Sequence, residues 1–249
     1  MQTVPVTVVG SYLSPYVRKV LVSLEFKSVP YQIDPIVPFY GNEEFERISP
    51  LRRVPVLIDD NGALADSTVI CEYLDERYPS PGLYPQDVAQ KAQARWLEEF
   101  ADSRLGQVFV WNLYNQTVIR KYVWGKAPDE AVLQHALNVE VPQVLNYLEN
   151  IIPHSGYLFG TLSIADIAIV SFFKNAFFGG LQLDAGRWPK VAAFVARILE
   201  LECFSKLVRW EKVCLKTPPD KHHVALRDAG APVVASSMGV DRPQPNHVG

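Results

Sequence analysis

Val4-Pro5-Val6-Thr7-Val8-Val9-Gly10-Ser11-Tyr12-Leu13-Ser14-Pro15-Tyr16-Val17-Arg18 is the stretch that decides the fold. The β-branched run from Val4 to Val9 predicts a buried strand. Ser14-Pro15 predicts a helix start, because serine is a favoured N-cap and proline is pre-shaped for the first helical position. Val17, Val20, Leu21 and Leu24 then recur at helical spacing and predict an amphipathic helix. Further on, Tyr31 to Ile33 predicts a strand and Asn42 to Ile48 a short helix. Val56-Leu57-Ile58 and Ala63-Leu64-Ala65 flank Asp59-Asp60-Asn61-Gly62, whose Asn-Gly pair signals a hairpin turn. A helix from Ser67 to Arg77 completes a unit of helices layered on a small mixed sheet.

The pattern then changes to helical periodicity at 88–122, 129–151, 164–178, 189–200 and 203–212, which predicts a helix bundle. The fold class expected is therefore an α/β domain followed by an all-α domain. The boundaries read as residues 1–78 for the first domain, 79–87 for a linker, 88–216 for the helical domain and 217–249 for a tail. The linker holds Pro79-Ser80-Pro81-Gly82-Leu83-Tyr84-Pro85, too rich in proline to continue a helix. Pro218, Pro219, Pro232, Pro243 and Pro245, with little periodicity, give the tail the composition of a disordered segment. If part of it is held against the body, its expected role is to narrow a substrate entrance.

The chain has 249 residues, 48% of them hydrophobic, enough to bury a sizeable core. A formal charge of -3 without any Lys/Arg run argues against nucleic acid. No apolar stretch reaches bilayer length and no secretory signal pattern opens the chain, so a cytoplasmic protein without a membrane partner is expected. Cys71, Cys203 and Cys214 lack metal-ligand or C-x-x-C spacing and read as small buried hydrophobes. His222-His223 has no third ligand in reach and reads as a solvated pair, so no metal is expected. Ser163-Ile164-Ala165-Asp166 is a capping box ahead of an apolar run and reads as structural.

Three places combine residues suited to chemistry. Ser14 would sit where unpaired helix N–H groups welcome an anion, and its hydroxyl suits a hydrogen bond to a thiolate. Capping alone also explains it, and Ser11, Tyr12 and Tyr16 are neighbouring hydroxyls. Val54-Pro55 ahead of a strand suits a cis bend that leaves the Val54 N–H and C=O for an extended peptide, although an ordinary trans proline also fits. Asp66-Ser67 opens a helix, so its hydroxyl and N–H groups suit a carboxylate and Asp66 an ammonium, the two ends of an amino acid; capping again explains both.

In this order, these motifs resemble the cytosolic glutathione transferase family, in its serine-type form. The resemblance runs from about residue 5 to 212 through Ser14-Pro15-Tyr16-Val17-Arg18-Lys19-Val20, Ser49-Pro50-Leu51-Arg52-Arg53-Val54-Pro55-Val56-Leu57, Leu64-Ala65-Asp66-Ser67 and Leu162-Ser163-Ile164-Ala165-Asp166. It implies a thioredoxin-like domain before a helical one, a homodimer, and addition of the glutathione thiolate to a small electrophile, with glutathione as co-substrate and no other cofactor. Detoxification and glutathione-dependent reduction of peroxides belong to the same implication. By position, Ser14 activates the sulfur, Val54 pairs with the cysteinyl backbone before a cis Pro55, Asp66 and Ser67 hold the γ-glutamyl end, and Arg53 faces the glycyl carboxylate. Asp66 stands where many members carry glutamate. The electrophile pocket is expected between the domains at Leu13 and at side chains of the first long helix, Phe109, Trp111, Leu113 and Tyr114, with Phe109 and Leu113 foremost. A serine at position 14 speaks against disulfide exchange. A non-catalytic glutathione-binding or protein-interaction module is the alternative reading.

Overall fold

The computed structural model describes residues 5–244. The expected strand start at Val4 and residues 245–249 of the expected tail lie outside the described residues. Two compact units form, one from the described residues up to Pro81 together with the described residues from Ser205 onward, the other from Gly82 to Phe204.

In the first unit, β1 (Val6–Val9), β2 (Tyr31–Asp34), β3 (Val56–Asp59) and β4 (Gly62–Ala65) make one sheet in the order β2-β1-β3-β4. β1 and β2 run parallel, joined by α1 (Pro15–Phe26), while β3 is antiparallel to both β1 and β4. With α2 (Glu43–Ile48) and α3 (Ser67–Arg77), this is the thioredoxin-like arrangement that the element order predicts. Pairing of Val9 with Asp34 and Val56, and of Val56 with Ala65, places Asp34, Val9, Val56 and Ala65 in one row across the sheet. Asp59 pairs with Gly62, so the hairpin turns on Asp60 and Asn61 rather than on Asn61-Gly62.

The step from β1 to α1 depends on Gly10. Its φ of 144° lies where L side chains are strained, and its N–H donates to Asp34 O at 2.8 Å. A Cβ here would fall 2.4 Å from Val17 Cγ2 and 3.0 Å from Val54 Cβ. The missing side chain is what lets the first turn of α1 and Val54 close on the end of β1.

The sequence reading makes α1 amphipathic, yet its charged side is also buried. Val17, Val20, Leu21 and Leu24 face the core, while Arg18 Nε donates to Glu211 Oε1 at 2.6 Å and Lys19 Nζ to Thr68 Oγ1 at 3.1 Å. Glu211 belongs to helix Val208–Lys216, which the sequence reading assigns to the helical domain. That helix instead belongs to the first unit, where its buried carboxylate meets a buried guanidinium on α1.

The expected disordered tail is also folded as far as it is described. Helix His222–Asp228 follows, and His222 is enclosed, with Nε2 between Cys214 O at 3.1 Å and Thr217 O at 3.0 Å. Burial lowers its pKa below the usual histidine range. His223 is half-buried and its Nε2 bonds Val234 O at 2.8 Å, so both histidines tie backbone together. Proline content misleads here because the segment is held by hydrogen bonds to other elements, which composition does not record.

The second unit contains α4 (Val88–Phe100), continued through Ala101–Ile119 and Arg120–Tyr122, then helices Glu130–His135, Val141–Ile151, Ile164–Phe178 and Pro189–Leu199. Helix Ile164–Phe178 is buried continuously from Ile164 to Phe173, and Ser163 N–H and Oγ both donate to Asp166 Oδ2 at its start. The expected linker is partly absorbed into this unit: Leu83 is buried with its carbonyl accepting Ile164 N–H at 2.8 Å, and Tyr84 donates to buried Glu98 at 3.0 Å. The three cysteines are all buried, and none of them is in a disulfide among the described residues.

Candidate active site

Three motifs far apart in the sequence leave or enter the sheet at one end. Gly10 to Ser14 follow β1 past Val9, Val54-Pro55 precede β3 at Val56, and Asp66-Ser67 follow β4 at Ala65. Since Val9, Val56 and Ala65 share a row, all three motifs lie beyond the same edge of that row. This is also the carboxyl end of the parallel strands β1 and β2, where open α/β sheets bind ligands.

Ser14 caps α1 from an extended backbone, φ -78° and ψ 128°, and its Oγ accepts Val17 N–H at 3.4 Å. A hydroxyl has one proton and two acceptor positions, so capping leaves that proton available to donate. Ser14 is half-buried. The neighbouring hydroxyls are placed differently. Ser11 is buried, with Oγ accepting Leu13 N–H at 3.2 Å. Tyr12 is enclosed, and burial pushes its phenol well above the ordinary tyrosine range. Tyr16 lies half-buried on the first turn of α1.

The Val54–Pro55 peptide is cis. Among the described residues, neither the N–H nor the C=O of Val54 has a backbone partner. Ahead of it, Ser49 Oγ donates to Arg53 O at 2.7 Å and accepts Arg53 N–H at 3.0 Å, which ties down the backbone while the Arg53 side chain stays exposed.

Asp66, not Ser67, caps α3: its Oδ1 accepts Thr68 N–H at 2.9 Å and Val69 N–H at 3.3 Å. The sequence reading leaves those donors to a ligand's carboxylate, so the helix start has less to offer than expected. Asp66 has φ 77° and ψ 129°, a conformation unusual for a residue with a Cβ and of the kind that costs about 1–3 kcal/mol. It is exposed, and Ser67 beside it is buried as the first residue of the helix.

The expected electrophile residues fall in different units. Leu13 is half-buried next to Ser14. Phe109 and Leu113 are enclosed in the helical unit, with the Phe109 ring edge-on to Phe173 at 5.0 Å. Packing accounts for both. Tyr114 is buried, and Trp111 is 38% exposed.

Two residues that sequence reading passed over shape this end of the sheet. Arg52 holds φ 48° and is buried, donating to Glu46 Oε2 at 3.1 Å and Gly41 O at 2.9 Å. Asp34, last residue of β2, is a buried carboxylate whose pKa is raised mainly by loss of water. The signal for Arg52 was the doubled arginine ahead of Val54; Asp34 stood at the end of a short strand with nothing to mark it.

Residues 8–82 match the model of the glutathione S-transferase N-terminal domain, and 116–209 that of the glutathione S-transferase C-terminal domain. The maleylacetoacetate isomerase of Pseudomonas aeruginosa is 30% identical over 188 residues, covering 72% of this chain and 84% of that protein. Glutathione S-transferase U3 of Arabidopsis thaliana is 25% identical over 206 residues, covering 79% of this chain and 85% of that one. A glutathione S-transferase crystal structure from Rhodospirillum rubrum superposes with a TM-score of 0.74 at 27% identity, over 81% of this chain and 91% of its own.

Proposed function

Because this chain belongs to the glutathione S-transferase family, we propose that it binds glutathione past the sheet row ending in Val56 and Ala65 and adds the thiolate to a small electrophile. The single observation that carries the reading is the convergence of the Ser14, Val54 and Asp66 motifs beyond one end of the sheet.

Each residue then has a chemical task. The Val54 N–H and C=O pair with the cysteinyl backbone as an added strand would. Asp66, with Oδ1 engaged at the helix, offers its second carboxylate oxygen to the γ-glutamyl ammonium, while Ser67 meets the carboxylate beside it. The exposed Arg53 guanidinium takes the glycyl carboxylate. Ser14 donates its proton to the sulfur, a hydrogen bond to the charged form that lowers the thiol pKa. The thiol proton leaves to solvent, the thiolate forms a carbon–sulfur bond beside Leu13, and a leaving group departs or the acceptor takes up a proton.

Glutathione titration calorimetry with a thiol-loss assay on a chloronitrobenzene tests this. Binding with consumption of thiol is expected, and Asp66→Ala should weaken glutathione about tenfold, one charged hydrogen bond's worth. Absence of binding contradicts the site; binding without consumption across a broad electrophile panel identifies a non-catalytic module.

A second reading is favoured by the isomerases among the relatives, which include mouse maleylacetoacetate isomerase at 29% identity over 84% of its length. In it the same thiolate adds to a carbon–carbon double bond, the bond rotates while single, and the thiolate leaves again. Glutathione is then not consumed, which separates it from conjugation.

A homodimer forms part of the proposal, supported by the exposed apolar side chains Leu51, at 75%, and Val69 close to the site and by Trp96 in the helical unit. Sedimentation equilibrium should give twice the chain mass, and a monomer at micromolar concentration contradicts it.

A further inference from the structure

The C-terminal segment beyond helix His222–Asp228 lies past the matched family domains, which end at residue 209. It runs along the free edge of β2: Ile33 N–H donates to Pro232 O at 2.8 Å and Val234 N–H to Ile33 O at 3.0 Å, a parallel bridge at Val233. It then locks onto the end of that strand, where the Asp34 carboxylate accepts Ser237 Oγ at 2.6 Å and Met238 N–H at 2.8 Å. Next it ties the stretch ahead of α2. Asn42 N–H donates to Met238 O at 2.9 Å, Val240 N–H to Tyr40 O at 2.8 Å, and Gln244 N–H to Phe39 O at 2.7 Å. Finally, Gln244 Oε1 accepts Arg52 Nη2 at 3.1 Å.

These contacts hold the stretch from Phe39 to Val54 at both ends. At its start are Phe39, Tyr40 and Asn42; at its finish is Arg52, whose guanidinium also grips Gly41 O across α2. Arg53, Val54 and Pro55 follow Arg52 directly. Met238 packs on the cluster of Val9, Ile36, Phe45 and Val56, the same cluster that Val54 packs on. The row residue Asp34 serves both sides, its backbone oxygen taking Gly10 N–H and its side chain taking the segment. Arg52 at φ 48° is a conformation that its surroundings must enforce, and Gln244 is among those surroundings.

We infer that residues 231–244 form a strap that holds the Arg52–Val54 backbone in its glutathione-binding shape, with Ser237 and Gln244 as positioning residues. The inference rests on the glutathione reading of the site. It replaces the sequence expectation that the tail narrows a substrate entrance: the strap acts on the co-substrate rather than on access for the electrophile. By linkage, a strap that favours glutathione must itself be steadied by glutathione.

The test uses the full chain, wild type and Ser237→Ala/Gln244→Ala. The variant should bind glutathione about tenfold more weakly with kcat at saturating glutathione within about twofold, the size of a typical coupling between sites. In the wild type, glutathione should slow hydrogen exchange at the Val234, Met238 and Val240 amides. Equal affinity in variant and wild type, or a variant that loses kcat and thermal stability at unchanged affinity, overturns the strap role while leaving the site standing. No glutathione binding by the wild type overturns both. Should the variant fail to fold, the wild-type exchange decides alone, and amides indifferent to glutathione reject the inference.

Discussion

Ser14→Ala should lower the rate of conjugation at neutral pH by about 10–100-fold, because it removes a hydrogen bond to a charged sulfur worth about 1.5–3 kcal/mol. Glutathione affinity should stay within about threefold, since Val54, Asp66, Ser67 and Arg53 would hold the rest of the tripeptide. Stability should fall little. A serine cap is worth about 0.5–2 kcal/mol, and at 3.4 Å the Ser14 bond to Val17 N–H belongs near the lower figure. The pH dependence has a definite sign: the deficit should shrink as pH rises, because the variant's bound thiol ionises later and catches up. Stopped-flow or steady-state rates across pH check this, and a deficit constant with pH would mean that Ser14 acts by some route other than thiol ionisation.

Glu211→Ala carries the largest expected loss of stability, about 3–5 kcal/mol, the range found when one partner of a buried ion pair is removed. Arg18 is 1% exposed and Glu211 2%, so the guanidinium cannot move to water when the carboxylate 2.6 Å away is lost. The effect should reach the site as well, because Arg18 Nη2 also donates to Tyr12 O at 3.2 Å, inside the turn that leads to Ser14. Arg18→Met/Glu211→Leu should be far less damaging than Glu211→Ala, since it removes both buried charges together. Urea unfolding followed by circular dichroism reads the difference, and equal midpoints for the single and double variants would reject the ion-pair account.

The first unit's elements were legible because each carries its own local signal. Ser14-Pro15 marks the start of α1, Tyr31 to Ile33 marks β2, and Asp66-Ser67 marks α3 to within one residue. What escaped the sequence depends on partners distant in the chain. Helix Val208–Lys216 has the same periodicity whichever unit it joins, and it is long-range contacts such as that of Glu211 with Arg18, 193 residues away, that tie it to the first. The strap is invisible for a related reason: its contacts are mostly backbone N–H and C=O groups, which every residue has. Asp66 shows a third limit. Its place before a helix was evident, but the capping bonds that occupy Oδ1 and the positive φ that aims the carboxylate are properties of three-dimensional geometry.

At the candidate site, the types of residue were legible and their competition for donors was not. Ser14, Ser11, Tyr12 and Tyr16 all offer hydroxyls within six positions, and burial sets Ser11 and Tyr12 apart from half-buried Ser14 and Tyr16. Ser11 is turned to Leu13 N–H and Tyr12 is enclosed in the core. Phe109 and Leu113, an aromatic and aliphatic pair whose helical spacing suits a pocket as well as packing, are enclosed in the helical unit.

Ultraviolet titration of glutathione bound to the wild-type chain and to Ser14→Ala measures where the sulfur ionises in each. The wild-type complex should show a thiol pKa below that of free glutathione, and the variant one raised by about 1–2 units, equivalent to the hydrogen bond removed. Identical titration curves for the two complexes would contradict the role assigned to Ser14.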